Sequence, residues 1–347
     1  MISPEISPEE ELSRRSAAYL ACYVWPPWYD ALTKFQRKSL GRAAWQLANT
    51  FLPYFFLWYL MIRTIKWGYS YVLTLALALP AAAFLARIFI FFHDCVHGSF
   101  FASDRANTIV GTVCGILVFT PLADWRFNHF LHHATFANLD ARGYGDVSLM
   151  TVREYRNSGF RRRVGYRLYR NTFILFVLGP IYHFFLDQRF PTRNTGRAEH
   201  RSVIVTNLGI VAIGLLIAWA FGWRTYLLIQ IPVLWLAGMA GIWLFYVQHQ
   251  FEGVYWARTD KWDPLRAAME GSSFYRLPAV LRWFTGNIGY HFLHHLNYGI
   301  PNYRLKACYD AVPELHRKVP LTIRNSLVSG RLKLWDEDLQ RLVGLPN

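Results

Sequence analysis

Four apolar stretches dominate the chain and limit what it can fold into: 47 to 62, 69 to 92, 203 to 221 and 226 to 248. Each approaches or reaches the length a helix needs to cross about 30 Å of hydrocarbon. They come in two close pairs. RTIKWG separates the first pair and little more than GWRT the second, so each pair predicts a hairpin that crosses and returns. Segments 1 to 46, 93 to 202 and 249 to 347 are then left on one side. They hold 33 of the 37 lysines and arginines, and the excess of cationic side chains places that side in the cytoplasm. The expectation is an all-α integral membrane protein with four transmembrane helices in two hairpins, interfacial helices and a cytosolic helical cap. Its divisions are a cytosolic N-terminal segment, 1 to 46, a membrane domain, 47 to 310, and a cytosolic tail, 311 to 347.

The formal net charge of +15 fits this topology and anionic headgroups, and no nucleic-acid partner is read from it. The run RRRVGYRLYR at 161 to 170 reads as a helix lying on the lipid surface, where an acidic protein partner can also dock. Cys22, Cys95, Cys114 and Cys308 form no CxxC and read as reduced thiols. The N-terminal MISPEISPEEELSRR has no apolar h-region, so no cleavable signal peptide is expected. Plastid and endoplasmic reticulum targeting signals are also missing, which favours a bacterial inner membrane.

Two shorter apolar segments, 108 to 122 and 172 to 186, have 15 residues each. A single crossing by the first would put His93 and His97 across the bilayer from His129, His132 and His133. Both segments are therefore read as interfacial or re-entrant, with Gly111 and Gly115 forming a close helix contact.

Only twelve histidines occur, yet HFLHH is written twice, at 129 to 133 and 291 to 295, with unrelated flanks. His93 and His97 stand at the exit of the second span in FFHDCVHGSF, and His249 at the exit of the last span in WLFYVQHQFEG. Spacings of i, i+3 and i+4 put imidazoles on one helix face. All nine histidines fall on the cytoplasmic face, a constellation that points to metal. Imidazole alone leaves iron, zinc, copper and nickel open, but nine ligands exceed what one four-coordinate zinc uses, and two metals with open positions fit better. Asp94 and Glu252 are candidates to orient a ring through its second nitrogen. His183, His200 and His316 stand alone and read as interfacial or solvent hydrogen-bonding groups. No HExxH, P-loop or strand-flanked GxGxxG motif occurs, which speaks against a nicotinamide or flavin site in this chain.

Together HDCVHGSFF (93 to 101), HFLHH (129 to 133), QHQFE (248 to 252) and WFTGNIGYHFLHHLNYGIPNY (283 to 303) resemble the membrane fatty acid desaturases, relatives of alkane and carotenoid hydroxylases. The likeness covers roughly 50 to 310. The three-residue gap in HDCVH and the QHQFE element resemble the acyl-lipid branch with delta-12/omega-6 and bacterial delta-5 enzymes. The resemblance implies a di-iron centre held by His93, His97, His129, His132, His133, His249, His291, His294 and His295, with His249 the ligand outside the boxes. It implies O2 as co-substrate and a cis double bond placed in a membrane-lipid acyl chain. Acyl-CoA relatives carry an asparagine one turn before the extra histidine; here Phe245 stands there. No HPGG haem motif occurs, so electrons are expected from a separate ferredoxin or cytochrome b5. The alternatives are a hydroxylase or ketolase on the same scaffold, and a non-enzymatic haem- or metal-binding membrane protein.

Overall fold

A computed structural model describes residues 22 to 143 and 145 to 346. The expected N-terminal acidic stretch lies outside the described residues. Both expected hairpins are present. Helix α1 (Leu40–Lys66) begins at Ser39, whose hydroxyl accepts from Arg42 N, and ends with Arg63 and Lys66 in its last turn, where cations suit the helix dipole. Its buried positions, Ala43, Gln46, Thr50, Tyr54, Trp58 and Met61, recur every three or four residues and form the stripe against α2 (Tyr71–Val96). Gly68 (φ +71°) makes the turn, and Thr64 Oγ1 and Thr74 Oγ1, 2.8 Å apart, tie its base. The chain goes on through α3 (Asp104–Leu117), α4 (Leu122–Thr135) and α5 (Phe160–Tyr169) to the second hairpin, α6 (Arg197–Phe221) and α7 (Trp223–His249), joined at Gly222 (φ +91°).

Among the described residues three helices, α2, α6 and α7, are long and apolar enough to cross a membrane. The expected first span is the middle of α1, whose Asn49, Tyr54, Trp58 and Tyr59 make it less apolar than its partner α2. Only 11% of the apolar window of α6 is buried within the protein, so this helix presents its surface to lipid.

Segment 108 to 122 is the last ten residues of α3 and the elbow that leads into α4. Helices α3 and α4 meet at 99°, which makes them a broken span or a re-entrant pair. Phe119 in the left-handed region and Pro121 at the N-cap of α4 end one helix and start the next. The glycines are required: a Cβ on Gly111 would lie 2.9 Å from Cys95 Cβ, and one on Gly115 only 2.5 Å from the Thr120 carbonyl oxygen. Gly115→Ala is therefore expected to destabilise the protein by about 2 kcal/mol, the cost of overpacking against backbone. A lowered midpoint in thermal unfolding of the purified protein checks this, and Gly41→Ala, in open space, is the control.

Segment 172 to 186 is a run of wide helical turns, Ile174–Leu178 and Tyr182–Leu186, broken by Gly179 and Pro180 as the sequence suggested. It packs on α7, where Trp235 Nε1 donates to the Val177 carbonyl (2.8 Å) and Gly238 leaves room for Phe184 and Pro180.

The run 161 to 170 is helical, but one residue departs from the lipid-surface reading. Arg161 and Arg162 are exposed; Arg170 is fully buried. Its guanidinium donates to the carbonyls of Ser148 (3.2 Å) and Leu332 (3.0 Å), to Gln250 Oε1 (3.1 Å) and to Tyr246 Oη (3.2 Å). It fastens the C-terminal part of the cap to the end of α7. The cap otherwise combines short helices with two small sheets, one of Met150–Thr151, Leu334–Asp336 and Arg341–Val343, the other of Phe274–Tyr275 and Pro320–Leu321. All four cysteines are free thiols.

Candidate metal centre

The C-terminal ends of α2, α4 and α7 meet the short cap helix α8 (His291–Leu296), and each delivers histidines to one place. His93 lies in the last turn of α2 with His97 at its C-cap, His249 is the last residue of α7, and the two HFLHH stretches are the end of α4 and the start of α8. The nine histidines divide into two groups, each with its ligand nitrogens within 4.8 Å of one another: His93, His97, His129, His133 and His294; and His132, His249, His291 and His295.

The division explains the repeated pentapeptide. On a helix, the first and fifth residues of HFLHH stand one above the other, and the fourth is rotated to the side. In α4 the outer pair, His129 and His133, joins the five-histidine group and His132 the four-histidine group. In α8 the outer pair, His291 and His295, joins the four-histidine group and His294 the other. Two facing helices with the same pattern thus supply both groups reciprocally.

The ring nitrogens are too close and too numerous for hydrogen bonding alone. His249 Nε2 lies 3.2 Å from His132 Nε2 and 2.9 Å from His291 Nε2, which is itself 3.0 Å from His295 Nε2. In the other group His133 Nε2 lies 3.2 Å from His129 Nε2 and 3.0 Å from His294 Nε2. A ring nitrogen has one lone pair or one N–H in the ring plane, so it cannot serve two such neighbours. Two bonds of ~2.1 Å to a shared cation at a right angle set their nitrogens about 3.0 Å apart, the spacing found here. His93 Nε2 and both nitrogens of His97 are buried without any partner. The donor set therefore fits one cation in each group.

The protonation state agrees. Burial first, then repulsion among the rings, holds His291, His294 and His295 well below the ordinary imidazole range, so they are neutral with lone pairs available. Aromatic rings wall the groups: Trp125 stacks on His129 at 4.1 Å and Phe136 lies 4.0 Å from His295. Phe245 packs 5.3 Å from His249 and 5.4 Å from His132, an apolar ring at the place where acyl-CoA relatives carry asparagine. The five-histidine group is the more open one, with His97 stacked on the half-exposed Tyr298 (5.0 Å).

The two carboxylate candidates part company. Asp94 is buried, with Oδ1 3.4 Å from His93 Nδ1, while its Oδ2 accepts from Asn302 N (2.7 Å) and Nδ2 (2.8 Å). Glu252 is exposed and bonds none of the nine histidines, because the chain turns away after Gln250. The carboxylate that sequence reasoning missed is Asp146. His132 Nδ1–H donates to its Oδ1 at 2.5 Å, which fixes the tautomer and turns Nε2 toward its group. One signal was present: Asp146 follows GYG, and Gly145 (φ +62°) would place a Cβ 3.4 Å from both the Asn128 carbonyl and His132 Cβ. Asp146→Asn is expected to weaken metal binding on the order of 10- to 100-fold, read by competition with a chelator. Of the lone histidines, His183 bonds Asp187 (3.0 Å), His316 bonds the Tyr309 carbonyl (2.8 Å) and His200 is exposed, all away from the groups.

A helical membrane scaffold with two adjacent all-imidazole groups defines a membrane oxidoreductase of the histidine-box class. Within that class, the family model described as Fatty acid desaturase matches residues 69 to 325, and the chain belongs to this family. It is 47% identical to a fatty acid desaturase of Bacillus subtilis over 86% of this chain and 84% of the relative. It is 26% identical to an sn-1 acyl-lipid omega-3 desaturase (ferredoxin) of Synechocystis, over 65% of this chain and 63% of the relative. To a chloroplastic omega-6 fatty acid desaturase of Arabidopsis thaliana it is 25% identical, over 73% of this chain and 55% of the relative. The enzyme is a desaturase, its substrate a lipid and its setting a membrane.

Proposed function

We propose that the protein is an O2-dependent di-iron desaturase that places a cis double bond in the acyl chains of membrane lipids. The observation that carries this is the pair of imidazole groups whose nitrogens are spaced as the edges of two coordination shells. His93, His97, His129, His133 and His294 would hold one iron, and His132, His249, His291 and His295 the other. Two irons so held supply the oxidising power to break unactivated C–H bonds with O2. Removing two hydrogens from adjacent methylenes while O2 becomes two waters takes two further electrons and two protons from outside the chain. Asp146 and Asp94 orient His132 and His93. Trp125, Phe136 and Phe245 exclude water from the rings, which protects the chemistry from side reactions. The acyl-lipid substrate is supported by the likeness to the Synechocystis sn-1 acyl-lipid desaturase, and a ferredoxin-type donor by the same relative. The exposed Arg161 and Arg162 on α5 offer a basic surface to an acidic donor, a ferredoxin or a cytochrome b5. The cytoplasmic orientation rests on the charge bias between segments.

The test is gas chromatography with mass spectrometry of total acyl chains from a host lacking polyunsaturated lipids. New unsaturated chains two hydrogens lighter than their precursors are expected on expression. Chains carrying added oxygen would instead establish the hydroxylase alternative.

A further inference from the structure

Away from the histidines, a cavity of about 370 Å³ opens between the start of α1, the C-terminal half of α2 and the cap helix Ala279–Phe284. That volume is in the range of small-ligand sites, about 300 to 1,000 Å³. Its charge is one-sided: Arg42, Arg87, Arg282 and Lys306 line it, with Asn49 and Asn287 as neutral donors, and no lining residue is acidic.

Arg87 is the informative member. It is 2% exposed and belongs to a membrane-crossing helix, where an unpaired guanidinium is costly and marks function. Its Nε donates to Thr50 Oγ1 (3.0 Å), Nη1 donates to the Trp283 carbonyl, and its plane lies 4.0 Å from the Trp283 ring. None of these is an anion, and among the described residues Arg87 has no carboxylate partner. The guanidinium of the half-buried Arg282 has neither hydrogen bond nor ion pair among the described residues, and that of Arg42 donates only to the Tyr303 carbonyl (3.3 Å). Lys306 alone is paired, with Asp310. Three guanidiniums without a counter-ion around one cavity call for an anion with several oxygens, which guanidinium binds through paired donors.

The surroundings place that anion at the lipid interface. Trp45 on α1 is 68% exposed, and Val280 (67%) and Leu281 (45%) are exposed on the cap helix, so apolar side chains flank the cations as they do at headgroup depth. The cavity also adjoins the candidate metal centre. Arg87 precedes His93 by six residues, about 9 Å along α2. Gln46, which lines the cavity, donates to Asn302 Oδ1 (2.8 Å), and Asn302 donates to the Asp94 carboxylate beside His93.

We infer that this cavity binds the phosphate of a phospholipid headgroup and so docks the substrate lipid beside the metal centre. The inference rests on the acyl-lipid reading above and deepens it from lipid in general to phosphate-bearing lipid. The test uses the purified full chain in a neutral detergent, with native mass spectrometry counting the lipid retained. Dioleoylphosphatidylglycerol is compared with diglucosyl-dioleoylglycerol, which has the same acyl chains and no phosphate. One phosphatidylglycerol per chain is expected, at a Kd at least tenfold below that of the glycolipid. The Arg42→Glu/Arg282→Glu variant should bring the two lipids within twofold of each other, while Arg324→Glu, at an exposed position away from the cavity, leaves the tenfold preference. Equal retention of both lipids by the unaltered protein overturns the inference whether or not the variant folds. Displacement of the phospholipid by inorganic phosphate at equal concentration also overturns it, since the site would then serve the free anion. Retention is read without turnover. An inactive protein that prefers phosphatidylglycerol upholds the cavity against the desaturase reading, and an active one without preference does the reverse.

Discussion

His294→Ala is expected to reduce desaturation at least ~10³-fold, the loss typical when an essential catalytic group is removed. The side chain is buried at 1% exposure and belongs to the five-histidine group, where its Nε2 lies 3.0 Å from His133 Nε2. Alanine removes a ligand and leaves a cavity among neutral rings, with no nearby group to replace it. His291→Ala empties a position in the other group and should be as severe, because the two groups are expected to act on one O2 together. A variant outside both groups, such as His316→Ala, should keep full activity, since His316 bonds only the Tyr309 carbonyl. Product per mole of purified enzyme, by gas chromatography, is the readout.

Arg170→Met is expected to have the largest effect on folding of any change outside the metal centre. The guanidinium is completely buried and serves Ser148, Gln250, Leu332 and Tyr246 together. Methionine fills much of the space but leaves the Ser148 carbonyl and Gln250 Oε1 without their donor and breaks the network around Tyr246, at about 3 to 5 kcal/mol. The result would be little folded protein after extraction, with the C-terminal strands released first. Arg170→Lys should recover only part of the loss, because one ammonium cannot reach carbonyls on both sides as the planar fork does. Limited proteolysis of the segment after 330 measures both variants.

Long-period features were legible in the sequence. The hairpins follow from apolar length and from turns too short for anything but a return. The histidine boxes were legible because helical periodicity and the need for a common face restrict where nine imidazoles can meet. The requirement that His93 and His129 share a side also led to the interfacial or re-entrant reading of 108 to 122; the 99° bend of α3 on α4 is that of a re-entrant pair or a broken span.

Contacts between segments far apart in the chain were not legible. Arg170 sits in a run of exposed arginines and differs from Arg162 only in what the C-terminal tail and α7 bring to it. Asp94 and Glu252 each stand beside a box histidine, yet a helix end holds the first inward and an irregular turn carries the second to solvent. Asp146 lies 14 residues from His132, a separation no local periodicity covers. The assignment of His132 and His294 to opposite groups depends on how α4 and α8 face each other, which pentapeptide spacing alone does not fix. The basic cavity was hidden for the same reason, since Arg42, Arg87 and Arg282 come from three separate segments.

Anaerobic titration of the purified, metal-free full chain with Fe(II) tests most directly whether two adjacent metal pockets exist. Two equivalents per chain are expected for the unaltered protein, and one for His294→Ala and His291→Ala individually, each variant emptying a different group. Saturation at a single equivalent, or loss of that same equivalent in both variants, would contradict the two-pocket centre.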